Sequence, residues 1–154
     1  MSKYSRVLFV SEADTGKGPM AAAAFSQYMA TEDVEVDSRG MVVLFPEPIN
    51  EKAEAVMVSN GLSQKDHRAK AITEDDFQEG TAVIALERDQ YEALLDKFSD
   101  SGRVFLLEEL IGEPVDYGVL NGKELSDYGR CFERIRDHMR KLAEYIRTID
   151  KVEG

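Results

Sequence analysis

Apolar and polar residues fall in blocks along this chain, and the block lengths set its elements. Val7 to Val10 form an unbroken apolar run after Arg6, followed by the polar stretch Ser11 to Gly18 and then by Pro19-Met-Ala-Ala-Ala-Ala-Phe25. Short β-branched or aromatic runs of this kind predict strands at 6–10, 34–38, 81–86 and 103–107. Longer segments with apolar residues every three or four positions predict helices at 19–29, 50–60, 88–98 and 124–149, with a shorter helical turn at 74–78. In the last helix the seam is Phe132, Ile135, Met139, Leu142, Ile146 and Ile149, which makes one buried face. Pro19 suits a first helical turn, where a missing N–H costs nothing, and Gly61 suits a left-handed cap after the second helix. Alternating strands and helices predict an α/β domain with a parallel sheet. No repeat or linker interrupts it, and Phe45-Pro-Glu-Pro48 reads as a rigid connection.

The first strand, loop and helix are the first place to look for chemistry. A loop that leaves a strand and opens a helix gathers free backbone N–H groups and the positive end of the helix dipole around a small anion. Its side chains do not complete such a site. Ser11, Glu12, Ala13, Asp14, Thr15, Gly16, Lys17 and Gly18 provide two acids against one base and no activated nucleophile.

The frame of strand, eight-residue loop and Pro-Met-Ala resembles the low-molecular-weight protein-tyrosine phosphatases, whose loop runs Cys, five residues, Arg, then Ser or Thr. The resemblance continues through Asp37-Ser-Arg-Gly40, Asn60-Gly-Leu62, Asp66-His-Arg-Ala69, Thr73-Glu-Asp-Asp-Phe77, Thr81-Ala-Val-Ile-Ala85 and the final helix, and so covers nearly the whole chain. It implies one three-layer domain over residues 1–154, with a four-stranded parallel sheet flanked by helices, of the phosphotyrosine protein phosphatase I type. It implies no cofactor.

Laid on that family's loop, this sequence departs wherever chemistry is done. Ser11 stands at the nucleophilic cysteine, Asp14 at an asparagine that braces the loop, Lys17 at the phosphate-gripping arginine, and Gly18 at a hydroxyl that supports the thiolate. A helix end and a nearby cation can ionise a thiol but not a serine hydroxyl, which needs a positioned base. A Ser11–Lys17 arrangement is the alternative that would leave an active hydrolase. Lysine also lacks the planar fork that holds two phosphate oxygens. Either Glu12 or Asp14 is a candidate to occupy the loop in place of an anion. Spacing from Gly112 to Tyr128 and Cys131 puts the family's general-acid position at Val119, with Asp116, beside Tyr117, as the fallback acid. In the other reading Asp116 and Tyr117 are turn residues before Gly118.

Composition narrows the partners. The chain has 154 residues, 43% hydrophobic and 32% charged, which fits one folded core. A formal net charge of −11 argues against nucleic acid and anionic membranes, and leaves the acidic surface itself as an alternative interaction module. The absence of a long apolar run or a leader-like start makes the cytoplasm the expected location. The single cysteine, Cys131, has no partner for an internal disulfide and is expected as a small buried hydrophobe. His67 is expected to be a hydrogen-bonded structural histidine and His138 to be solvated on the charged side of the last helix. Neither has a second histidine at ligand spacing, so no metal site is expected. The expectation is a phosphatase-like protein with little or no catalysis and a binding or regulatory role. Phosphate, phosphotyrosine or another small oxyanion would bind its loop weakly.

Overall fold

The computed structural model describes residues 4–98 and 101–153. Four parallel strands, β1 (Arg6–Ser11), β2 (Glu35–Gly40), β3 (Thr81–Ala85) and β4 (Val104–Leu106), lie in the order β2-β1-β3-β4. β1 is central. Arg6 pairs with Glu35 on one side and Thr81 on the other, and Ser11 is level with Gly40 at the carboxyl edge. That edge is where open α/β sheets place ligands.

Five helices cover the sheet: α1 (Lys17–Tyr28), α2 (Glu51–Ser59), α3 (Arg88–Lys97), α4 (Leu107–Ile111) and α5 (Leu125–Glu153). Because strand side chains alternate, Val7 and Phe9 enter a core shared with Met20, Phe25, Phe132, Ile135 and Met139. Leu8 and Val10 enter a second core with Val83, Leu94 and Phe98 on the other face. The rings of Phe9 and Phe25 meet edge to face at 5.3 Å, tying β1 to α1. Phe132, Ile135, Met139 and Leu142 are fully buried, as their spacing requires.

Several boundaries differ from the sequence expectation. α1 begins at Lys17, so Pro19 is its third residue; every N–H of a first turn lacks an intrahelical partner, and proline fits there equally well. β2 is shifted to Glu35–Gly40, β3 ends at Ala85, and the turn at 74–76 is 3-10 helix. Arg103 lies in a 3-10 turn before β4, and Leu107 opens the unexpected α4. Asn50 caps α2 by accepting the N–H groups of Lys52 and Ala53, and Gly61 has the expected positive φ of 79°.

His138 is a correction. It is 5% exposed rather than solvated. Spacings of seven from Cys131 and three from Ile135 put it on the buried seam of α5. There its Nδ1 accepts the Tyr117 hydroxyl at 2.6 Å, and its Nε2 lies 3.0 Å from Glu113. Tyr117 is buried too, and is more than a turn residue.

Candidate functional site

The loop after β1 is shaped by its neighbours. Segment 41–50 runs along its outer side, with Met41 N–H donating to the Ser11 carbonyl, Val42 to Glu12 and Asn50 to Thr15, each at 2.9 Å. The approach is close enough that a Cβ at Gly40 would stand 3.0 Å from the Ala13 backbone and 2.7 Å from Val43. Glycine at the end of β2 is therefore a packing requirement.

Asp14 is the pivot of the loop. Its φ is 59°, a left-handed conformation that Asn and Asp tolerate better than other side chains, and it is fully buried. His67 Nε2 donates to the Asp14 carbonyl at 2.7 Å and lies 3.4 Å from Oδ2, while Oδ2 accepts the Lys70 N–H at 3.0 Å. Among the described residues Oδ1 has no hydrogen-bond partner.

Gly18 lies opposite that oxygen. A Cβ there would be 2.8 Å from Ser11 Oγ and 3.5 Å from Asp14 Oδ1. Ser11 Oγ has thus turned inward toward the space a side chain at 18 would take, and it accepts the Asp14 N–H at 3.3 Å. Glu12 is exposed, and its Oε2 is 3.5 Å from Gln90 Nε2. Among the described residues the carboxylates of Asp14 and Glu12 bond outward, to Lys70 and Gln90, and not to the loop's own N–H groups.

Lys17 is engaged. Its Nζ sits 2.7 Å from Glu87 Oε1, both side chains mostly buried, and Glu87 Oε2 accepts the Tyr117 N–H at 2.9 Å. Glu87 was not singled out from sequence, although a signal existed: it lies two residues past the end of β3, and residues just past the ends of adjacent parallel strands meet at one edge.

Residues 11–17 form one wall of a cleft of about 430 Å³, completed by Glu47, Asn50, Val119, Leu120, Asn121 and Tyr128. Val119, expected from the family's spacing at the acid position, lines this cleft and is 75% exposed. Asp116 is not among its lining residues; its Oδ1 accepts the Gly118 N–H at 3.0 Å in a local turn. Gly18 lies behind the wall. Leu44 and Phe45, 83% and 67% exposed, belong to the segment that flanks the loop between Val42 and Glu47. Cys131 is buried and does not line this cleft, and burial pushes its thiol up to about 11. Among the described residues no group of three or more His, Cys, Asp or Glu could hold a metal ion, and no helix is long and apolar enough to cross a membrane.

The His67 brace has a pH signature. Burial lowers the imidazole pKa, but its hydrogen bonds to Asp14 and the Asp14 charge outweigh burial and hold it above its ordinary value. A raised pKa contributes stability that is complete below the unfolded value of about 6.5 and lost as pH rises through the folded one. The stability gap between the wild type and His67→Gln should therefore narrow as pH rises from 6 to 8, as read from urea unfolding midpoints. A constant gap would mean that the imidazole does not act through its charge.

The fold is shared with known proteins. The family model for low molecular weight phosphotyrosine protein phosphatase matches residues 6–152. The low molecular weight protein-tyrosine-phosphatase PtpB of Staphylococcus haemolyticus is 23% identical over 130 residues, 84% of this chain and 91% of that protein. The low molecular weight protein tyrosine phosphatase from T. tengcongensis superposes with a TM-score of 0.85 at 27% identity, over 90% of this chain and 97% of that one. A YwlE arginine phosphatase, as a serine-for-cysteine mutant with a phosphorylated active-site serine, gives 0.85 at 22% identity over 92% and 95%. The chain belongs to the low molecular weight phosphotyrosine protein phosphatase family.

Proposed function

We propose that this protein is a pseudophosphatase of the cytoplasm: it keeps the family's strand, loop and helix, does not turn over phosphotyrosine, and acts by binding. The observation that carries this reading is the 2.7 Å ion pair between Lys17 and Glu87. The loop's single cation is spent inside the protein, while Glu12 and Glu47 remain exposed at the cleft. Ser11 supports the same reading, because the group it meets is the Asp14 N–H, a donor that cannot take its proton. Val119 offers no proton to a leaving group. Val119, exposed on the cleft, and Leu44 and Phe45, exposed on the segment that flanks the loop, favour a binding role, since apolar surface beside a cleft suits a contact site.

Hydrolysis of an aryl phosphate is expected to stay at background from pH 5 to 8. Turnover that disappears in Ser11→Ala would overturn the proposal in favour of a hydrolase with altered residues. Intact-mass and peptide analysis after incubation with the aryl phosphate tests the first chemical step separately. In the serine mutant of the YwlE arginine phosphatase the active-site serine is phosphorylated. A transfer to Ser11 would leave the same trace, and none is expected.

A further inference from the structure

Beside the loop cleft, on the far side of segment 117–120, lies a second cavity of about 530 Å³. Its charge is opposite to that of the chain as a whole. Lys123, Arg130 and Arg134 line it with one carboxylate, Asp127, although the chain carries 30 acidic side chains against 19 basic ones. Tyr117 and Cys131 give it an aromatic and apolar lining.

Asp127, Arg130 and Arg134 recur at spacings of three and four on the first turns of α5, which places them on one face. Asp127 pairs with Arg130. Among the described residues neither Lys123 Nζ nor the Arg134 guanidinium has a carboxylate within ion-pair distance. Arg134 is nevertheless held in place, its guanidinium carbon 5.3 Å from the centre of the Tyr117 ring. Tyr117 is in turn fixed by its hydroxyl on His138 and its N–H on Glu87. A stacked guanidinium keeps its N–H edge available for an oxyanion.

We propose that this cavity is an anion site for a phosphate monoester with an apolar or aryl body, separate from the loop. The Arg134 guanidinium and the Lys123 ammonium suit a dianion, and Arg130, already paired with Asp127, adds a further N–H donor; three free oxygens take paired donors better than a single carboxylate does. The apolar lining receives the body of the ester. The acidic remainder of the surface repels polyanions such as nucleic acid. A single phosphate group in the cavity responds mainly to charges within a Debye length of about 8 Å.

Val119 and Leu120 line both cavities, so the two sites must be told apart residue by residue. The experiment is a ¹⁵N NMR titration of the full chain with inorganic phosphate, phenyl phosphate, a phosphoserine peptide and the same peptide with glutamate. The amides of Gly118, Lys123, Arg130 and Arg134 should move with phenyl phosphate, while those of Thr15 to Lys17 stay in place. Arg134→Gln and Arg130→Gln should each weaken binding about tenfold, the loss expected for one charge-assisted hydrogen bond. Arg134→Lys, which keeps the charge without the fork, should fall between.

Tighter binding of phenyl phosphate than of the phosphopeptide would assign the site to a small ester, and the reverse order to a phosphorylated protein. Equal response to the glutamate peptide would overturn the choice of phosphate. Shifts confined to the loop and abolished by Lys17→Gln, or no shifts up to about 20 mM phenyl phosphate, would overturn the site itself. These outcomes leave the silent loop untouched, because hydrolysis is assayed independently.

Discussion

Joint replacement of Ser11→Cys, Asp14→Asn, Lys17→Arg, Gly18→Ser and Val119→Asp is expected to raise aryl-phosphate hydrolysis at least about 100-fold above the wild type. The backbone N–H groups and the end of α1 come with the fold. Thiolate, guanidinium, supporting hydroxyl and leaving-group acid come from the replaced side chains. The positions are suitable, since residues 11, 14, 17 and 119 line one cleft. Residue 18 acts from behind. A Cβ there would lie 2.8 Å from the present Ser11 Oγ, so a side chain at 18 drives the residue-11 side chain outward, toward the cleft.

Glu87 is the remaining obstacle. It lies 2.7 Å from Lys17 Nζ and would hold a guanidinium at the same place. Adding Glu87→Gln should therefore increase the recovered rate further and lower KM for the phosphate ester. Single replacements should recover little, because groups acting in one transition state are strongly non-additive. A correctly folded variant with no burst of phenol and no affinity for vanadate would show that the loop backbone no longer forms an oxyanion cradle.

Most of the fold was legible because it rests on local pattern. The apolar run of β1, the seam of α5 and the glycine after α2 each announce an element within a few residues. α4 was missed for a local reason: Leu106 and Leu107 continue the apolar run of β4 straight into the helix, without a capping residue between them. Loop 11–18 was legible by pattern, and the spacing that singled out Val119 led to a residue that lines the same cleft as the loop. The partners that decide the chemistry were not. Glu87 reaches Lys17 across 70 residues, and Lys70 reaches Asp14 across 56. Such contacts follow from strand order, which no local period encodes. His138 was misplaced because the charged Asp137 and Arg140 beside it mask the three-and-four spacing that buries it.

Asp14→Ala is expected to cost about 3 kcal/mol of stability, the scale of an N–H left without its acceptor together with a strained left-handed residue. Three losses coincide. The Lys70 N–H loses its acceptor at 3.0 Å, His67 loses the neighbouring carboxylate, and alanine must hold a φ of 59° that costs about 1–2 kcal/mol without a side-chain hydrogen bond. Asp14→Asn should stay within about 1 kcal/mol of the wild type, since asparagine tolerates the left-handed region and its oxygen can still accept from Lys70. For a domain of this size the alanine variant should melt about 10 °C lower. The two substitutions separate geometry from charge. If both lose the same stability, the charge on His67 dominates, and the loss should then shrink as pH rises and the imidazole becomes neutral. If only alanine is unstable, the side-chain bond and the left-handed turn hold the loop in shape, and the Asp14→Asn step of the five-residue variant leaves that shape intact.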